Sequence, residues 1–297
     1  MAKQRQSLSG KVVAITGGAR GIGKATATAL VRKGCRVAIG DLDLELAERT
    51  AGELGGGSVA LPLDVTDRNS FEAFLDETER QLGPVDAVVN NAGIMPVTPL
   101  VDEKEESVRR QVDINLHGVI TGTQLAIEHL RPRGSGYIVN IASQAGKAGI
   151  PGIATYSATK HAVVGLSEAV RGELRGSGIE VLCVMPTLVN TELTSGVGQK
   201  WVKPVEASDV ADAIVEAMEV PRFDVFVPRA NGALYRFLVL MPRGAREGLG
   251  RLMKVDKLMQ EADHGARRAY EERAASSEPS AEEAPAEAPS AAERDAA

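Results

Sequence analysis

Tyr156 and Lys160 stand four residues apart in Tyr156-Ser157-Ala158-Thr159-Lys160, a stretch that runs on through Gly165 with apolar residues at helical spacing. Residues four apart share one helix face, so the phenol and the ammonium are neighbours. A phenol with its ordinary pKa near about 10 is a poor proton carrier at neutral pH, and a nearby positive charge favours its phenolate. The pair is therefore a candidate proton-transfer device, its phenol pKa expected to be lowered by Lys160. Ser143 precedes the tyrosine by 13 positions, at the end of an apolar run, Gly136 to Ile141. Asn115 lies in an otherwise apolar helical stretch, Val112 to Leu116, where an amide is unfavourable without a reason such as a buried water or a ligand.

Alternating strands and helices must position these groups. The run Lys11 to Thr16 is apolar and β-branched, and Gly17-Gly18-Ala19-Arg20-Gly21-Ile22-Gly23 leads from it directly into an alanine-rich helical pattern. Strand, glycine turn and helix form a place where the backbone and a helix N-terminus can approach a pyrophosphate. The second strand, Arg36 to Gly40, delivers Asp41, placed to accept hydrogen bonds from an adenosine ribose and to repel a 2′-phosphate. Capping of the helix that starts near Leu44 is the other reading of Asp41. Arg20 pulls the opposite way, because a guanidinium in the turn could reach a 2′-phosphate.

A third strand, Ser58 to Leu63, leads to Asp64-Val65, and a fourth, Asp86 to Val89, to Asn90-Asn91-Ala92-Gly93. Small and amide residues there suit a nucleoside lying against the backbone. Glu103 to His129 reads as one long helix or two abutting ones. A sixth strand, Ile179 to Val184, ends in Met185-Pro186-Thr187, and the glycine-containing, irregular segment Leu188 to Lys203, with the only tryptophan, Trp201, reads as a mobile lid or substrate loop. A helix over Ala207 to Glu219 and a seventh strand over Phe223 to Val227 complete the alternation. The predicted fold is α/β, a Rossmann-type doubly wound parallel sheet of about seven strands with helices on both faces. Residues 1–10 form a lead and 11–228 the dinucleotide-binding and catalytic domain.

The motifs in this order resemble the short-chain dehydrogenase/reductase family: Thr16-Gly17-x-x-x-Gly21-x-Gly23, Asp64, Asn90-Asn91-Ala92-Gly93, Asn115, Ser143, Tyr156-x-x-x-Lys160 and Pro186, over about residues 8–228. The resemblance implies Tyr156 as general acid/base, Ser143 holding the substrate oxygen, Lys160 on the tyrosine and the nicotinamide ribose, and Asn115 supporting a proton relay. It implies Asp64 and Asn91 on the adenine side of the cofactor, Asp41 on its ribose, and the segment Pro186 to Thr191, including Val189, near the nicotinamide amide. Thr187 stands where the family usually has glycine. A dimer or tetramer through the helices around residues 102–130 and 154–176 is also implied.

Residues 229–268 carry nine basic residues against four acids, with Leu234, Phe237, Leu238, Leu240 and Met241 among them. This basic amphipathic extension either packs on its own domain or a partner subunit and closes over the substrate site, or lies on an anionic membrane surface. Ala274 to Ala297 is rich in alanine, glutamate, proline and serine and is expected to be disordered.

The formal net charge is −6, with six of the acids and one arginine in that tail, so the body is nearly neutral and nucleic acid is not an expected partner. The two cysteines, Cys35 and Cys183, lie in or beside apolar runs and suggest neither a disulfide framework nor a metal site. With no apolar leader and no long apolar run, a cytoplasmic protein is expected. The expected activity is NAD-dependent interconversion of a lipophilic secondary alcohol and its ketone, from the apolar edge of Ile94, Met95, Pro96, Ile150, Pro151, Leu188 and Val189. An NADPH-dependent 3-oxoacyl thioester reductase, supported by Arg20, and a non-catalytic nucleotide-sensing scaffold are the alternatives.

Overall fold

A computed structural model describes residues 5–197, 203–252, 259 and 262–276. The alternating apolar runs form nine strands and ten helices among these residues. In chain order they are β1 (Val12–Thr16), α1 (Gly21–Arg32), β2 (Arg36–Asp41), α2 (Leu44–Leu54), β3 (Val59–Pro62), α3 (Arg68–Leu82), β4 (Ala87–Asn90), α4 (Glu105–Val112) and α5 (Gly118–Leu130). There follow β5 (Gly136–Ile141), α6 (Ala154–Glu173), β6 (Ile179–Pro186), β7 (Val189–Asn190), β8 (Val205–Glu206), α7 (Ala207–Glu219), β9 (Asp224–Val227), α8 (Ala230–Leu240), α9 (Arg243–Leu252) and α10 (His264–Ser276).

Seven strands make one parallel sheet in the order β3-β2-β1-β4-β5-β6-β9. Its central strands read as continuous apolar runs because both faces are covered. β1 sends Val13 and Ile15 into a core with Ala27 and Leu30 of α1 and Ile214 of α7, and Val12 and Ala14 into a second core with Phe71 of α3 and Leu125 of α5. Burying each large aliphatic side chain contributes about 1.5–3 kcal/mol. The strand order reverses between β1 and β4, where the carboxyl ends of the strands leave a crevice.

Of the two readings of Glu103 to His129, one long helix or two abutting ones, the structure shows the second: α4 and α5 abut through a π-helical turn at Asp113–His117 that contains Asn115. Two local readings are corrected. The sixth strand continues to Pro186, because β9 pairs with it as far as Pro186↔Val227. The segment after Leu188 is not wholly irregular, since Val189 and Asn190 pair with Val205 and Glu206 in a two-stranded parallel ribbon. Trp201 lies outside the described residues.

The extension divides in two. α8 packs on β9 through Tyr235 stacked on Phe226, ring centroids 5.6 Å apart. Farther on, α10 folds back onto the domain. Arg267, fully buried, donates to the carbonyls of Met95 (2.8 Å), Leu193 (3.1 Å) and Ser195 (2.9 Å). α10 runs to Ser276, so the disorder expected from Ala274 does not hold for Ala274, Ala275 and Ser276, and Ala274 is buried. The remainder of that tail lies outside the described residues.

Candidate active site

The crevice at the strand ends is a cleft of about 1450 Å³ running from the glycine turn to α10. The turn after β1 is built for close approach. Gly17 has φ +62°, and a Cβ there would stand 2.9 Å from the Ala92 Cα, while one on Gly23 would stand 2.3 Å from the Gly17 carbonyl oxygen. No side chain fits at either position, so the turn packs backbone to backbone and leaves the start of α1 open to the cleft. Asn91 fixes the turn by donating from Nδ2 to the carbonyl oxygens of Thr16 and Gly17, both at 2.9 Å. The Thr16 hydroxyl in turn accepts from Asn91 N and Ala92 N at 3.0 Å.

Asp41 ends β2 inside the cleft, its carboxylate accepting from Ala19 N (3.0 Å) and Asp43 N (3.1 Å). Burial raises its pKa, against the lowering pull of the two backbone N–H groups and of Arg20. Asp43 is the residue that caps α2, through Leu46 N at 3.1 Å, which leaves Asp41 to face the cleft. Arg20 is tied to Asp43 (2.6 Å) and Glu192 (3.2 Å). Asp64 accepts from both the N–H and the hydroxyl of Thr66 at the cleft wall.

At the other end, β5 delivers Ser143, and α6 brings Tyr156 and Lys160 across from it. Tyr156 is buried, with the Ser143 hydroxyl near enough to its phenol to lower its pKa. Lys160 is 3% exposed; its Nζ donates to the Ile141 carbonyl oxygen at 2.8 Å and lies 5.6 Å from the centre of the Tyr156 ring. The expected lowering of the phenol pKa does not hold for this arrangement. Burial pushes Tyr156 up to about 12, with the Ser143 hydroxyl opposing the rise, and burial brings Lys160 down to about 8. The physical reason is that both groups lose water together, and the ammonium is directed at a strand-end carbonyl.

Asn115 is held by the backbone of the loop after β4. Its Oδ1 accepts from Ile94 N and its Nδ2 donates to Ile94 O, both at 2.8 Å, so the amide clamps the loop after β4 beside the cleft. Both Asn115 and Gly23 stand behind the cleft wall. The other site residues named from the sequence all line the cleft: Gly17, Arg20, Gly21 and Ile22; Asp41, Asp64 and Val65; Asn91, Ala92 and Gly93; Ser143, Tyr156 and Lys160; Pro186, Val189 and Thr191. Thr187 is accommodated with its N–H donating to Val227 O at 2.9 Å.

Sequence reasoning missed three residues. Gln144, buried, donates to Val227 O at 3.0 Å and accepts from Asn231 Nδ2 at 2.8 Å, fastening α8 to the cleft rim. Arg267 and Tyr270 come from α10, and the Tyr270 hydroxyl accepts from Met95 N at 2.7 Å within the cleft wall. A basic helix far along the chain carries no local sign that one of its arginines is buried.

The crevice fits a dinucleotide: an open helix start behind a glycine turn, an acid at the end of β2, and a length of cleft that leads to a buried tyrosine. Comparison with known proteins agrees. The profile of the short chain dehydrogenase family matches residues 11–201. A sorbitol dehydrogenase from Cereibacter sphaeroides is 40% identical over 195 residues, covering 65% of this chain and 76% of its own length. A 3-oxoacyl-(acyl-carrier-protein) reductase from Mus musculus is 37% identical over 231 residues, covering 75% of this chain and 98% of its own. The crystal structure of a short chain dehydrogenase/reductase from Burkholderia phymatum in complex with NAD aligns with a TM-score of 0.72 at 25% identity, covering 78% of this chain and 93% of that one. The chain thus belongs to the short-chain dehydrogenase/reductase family, and it is an oxidoreductase that acts on CH–OH groups with a nicotinamide cofactor.

Proposed function

We propose that the protein is an NAD-dependent dehydrogenase that interconverts a lipophilic secondary alcohol and its ketone. The observation that carries the substrate class is the company of Tyr156. Its ring belongs to an apolar cluster with Met95, Ile153, Leu188 and, from the extension, Met259. A polyol would leave its hydroxyls without partners against such a wall, at a cost of about 1–3 kcal/mol for each one buried. An aliphatic or ring-shaped alcohol loses nothing there.

NAD is favoured by the surroundings of Arg20. The one guanidinium in the glycine turn is already held by Asp43 and Glu192, and the Asp41 carboxylate stands beside it to repel a 2′-phosphate. The nicotinamide, when bound, supplies the hydride chemistry. The chain's own groups do the rest. The Tyr156 hydroxyl holds or takes up the proton at the substrate oxygen, and Ser143 orients that oxygen by a second hydrogen bond. Lys160 stands beside the phenol, its Nζ 5.6 Å from the ring centre, and carries its charge below about pH 8. Asn115 holds the loop opposite, and the apolar cluster excludes water.

The likeness to a 3-oxoacyl-(acyl-carrier-protein) reductase over nearly that protein's whole length favours a second reading, a 3-oxoacyl thioester reductase. Initial rates with NAD and a series of secondary alcohols of growing chain length, beside an acetoacetyl thioester with NADPH, separate the two. Our reading predicts kcat/KM rising with apolar length, and faster thioester reduction than any alcohol oxidation would overturn it.

A further inference from the structure

The first part of the extension, which forms one rim of the cleft, also has an outward face. Asn231, Gly232 and Tyr235 turn α8 toward Gln144 and Phe226, where Asn231 bonds Gln144 at 2.8 Å and Tyr235 stacks on the ring. On the opposite side Phe237 is 62% and Leu240 83% exposed, and Leu234, at the edge, is 42% exposed while also lining the cleft. These are three of the six large apolar side chains that stand exposed among the described residues. A soluble surface seldom gathers such side chains without a partner.

Their charge setting selects the partner. Between Arg229 and Leu252 the chain carries five arginines and one glutamate. Arg236 shares the outward side of α8, and Arg243 and Arg246, both exposed, stand where the cleft opens. An apolar strip flanked by arginines suits the headgroup boundary of an anionic bilayer, where the rings and aliphatic chains enter and the guanidinium groups meet phosphates. Leu234 and Leu238 continue that strip into the cleft. No helix among the described residues is long and apolar enough to cross a membrane, so the contact is with the surface.

We propose that the outer face of α8, with the start of α9, docks the protein on an anionic lipid surface and turns the mouth of the cleft toward it. A lipophilic substrate then passes from the bilayer along Leu234 and Leu238 to Tyr156. That passage rests on the substrate reading above, whereas the docking is read without turnover and stands or falls separately.

Flotation of the full chain with phosphatidylcholine vesicles, with and without phosphatidylglycerol, tests the docking. The wild type is expected to float only with the anionic vesicles and to be released by salt. The double variant Phe237→Glu with Leu240→Glu, and separately Arg236→Glu, are expected to lose roughly tenfold or more of the bound fraction while oxidising a water-soluble secondary alcohol as before. Wild-type protein that stays unbound with both vesicle types overturns the proposal, as does undiminished binding by all the variants. Light scattering completes the test: if the double variant turns a dimer into a monomer and no vesicles are bound, the face belongs to a second copy of the chain and the proposal is wrong.

Discussion

The Lys160 ammonium donates to the Ile141 carbonyl oxygen at 2.8 Å, so the helix that carries Tyr156 and Lys160 is fastened to the end of β5. Burial holds its pKa down to about 8, against an unfolded value near about 10.5. The unfolded chain therefore binds more protons than the folded one between those values, and stability from this group rises as pH goes from 8 toward 10.5. Lys160→Met keeps the stem and removes the buried charge. It is expected to raise stability by about 1–2 kcal/mol at pH 7, after the loss of the Ile141 hydrogen bond, and to give no gain above pH 10. Denaturant unfolding at the two pH values checks this; equal effects at both would contradict it. Turnover in the same variant should fall sharply.

Reductive turnover has its own pH signature. Tyr156, pushed up to about 12, stays protonated through the neutral range, so its proton remains available. Lys160 loses its charge as pH rises through about 8. We expect reductive kcat/KM to be flat below about pH 7 and to decline above 8, with Lys160→Arg moving the decline upward. A pH profile with the ketone and NADH reads it, and an unshifted decline in that variant would assign it to another group.

Our proposal makes cofactor choice depend on Asp41 and on the engagement of Arg20. NADH is expected to bind at least tenfold more tightly than NADPH, a difference of about 1.4 kcal/mol. Asp41→Ala is expected to narrow that ratio, and Glu192→Gln, by releasing one of the two carboxylates on Arg20, to improve NADPH binding. Fluorescence titration of both cofactors decides, and an unchanged ratio in Asp41→Ala would remove Asp41 from the account.

Arg267 holds α10 beside the Met95 wall of the cleft through three backbone carbonyls. Arg267→Leu leaves those carbonyls buried without their donor, a loss of about 3 kcal/mol or more to the seating of the helix. The expected result is faster proteolysis within residues 262–276 and a KM for lipophilic alcohols at least several-fold higher, with NADH affinity little changed. Loss of NADH affinity in step with KM would point to a general collapse.

What the sequence disclosed follows from how local its causes are. The strand runs, the glycine turn and the Tyr156-to-Lys160 spacing are written in neighbouring residues, and the parallel sheet and the cleft they line could be read from them. The clamp of Asn115 on the Ile94 backbone could not, because its partner lies 21 positions away in the chain. The same holds for Arg267, whose carbonyl partners at Met95 and Leu193 lie far back in the chain and make a buried residue of one that composition would leave at the surface. The direction of the Tyr156 pKa was misread for a related reason: spacing shows that Lys160 is a neighbour, while burial is a property of the whole fold.

The most direct measurement is the initial rate of NAD reduction by a lipophilic secondary alcohol, wild type against Tyr156→Phe, with NADH affinity measured on both. Removing the phenol hydroxyl preserves the ring among Met95, Ile153 and Leu188. The account predicts a fall in kcat of about 10²–10⁴-fold with cofactor affinity retained. A variant that turns over as fast as the wild type would contradict the assignment of Tyr156 as the proton carrier, and with it the mechanism.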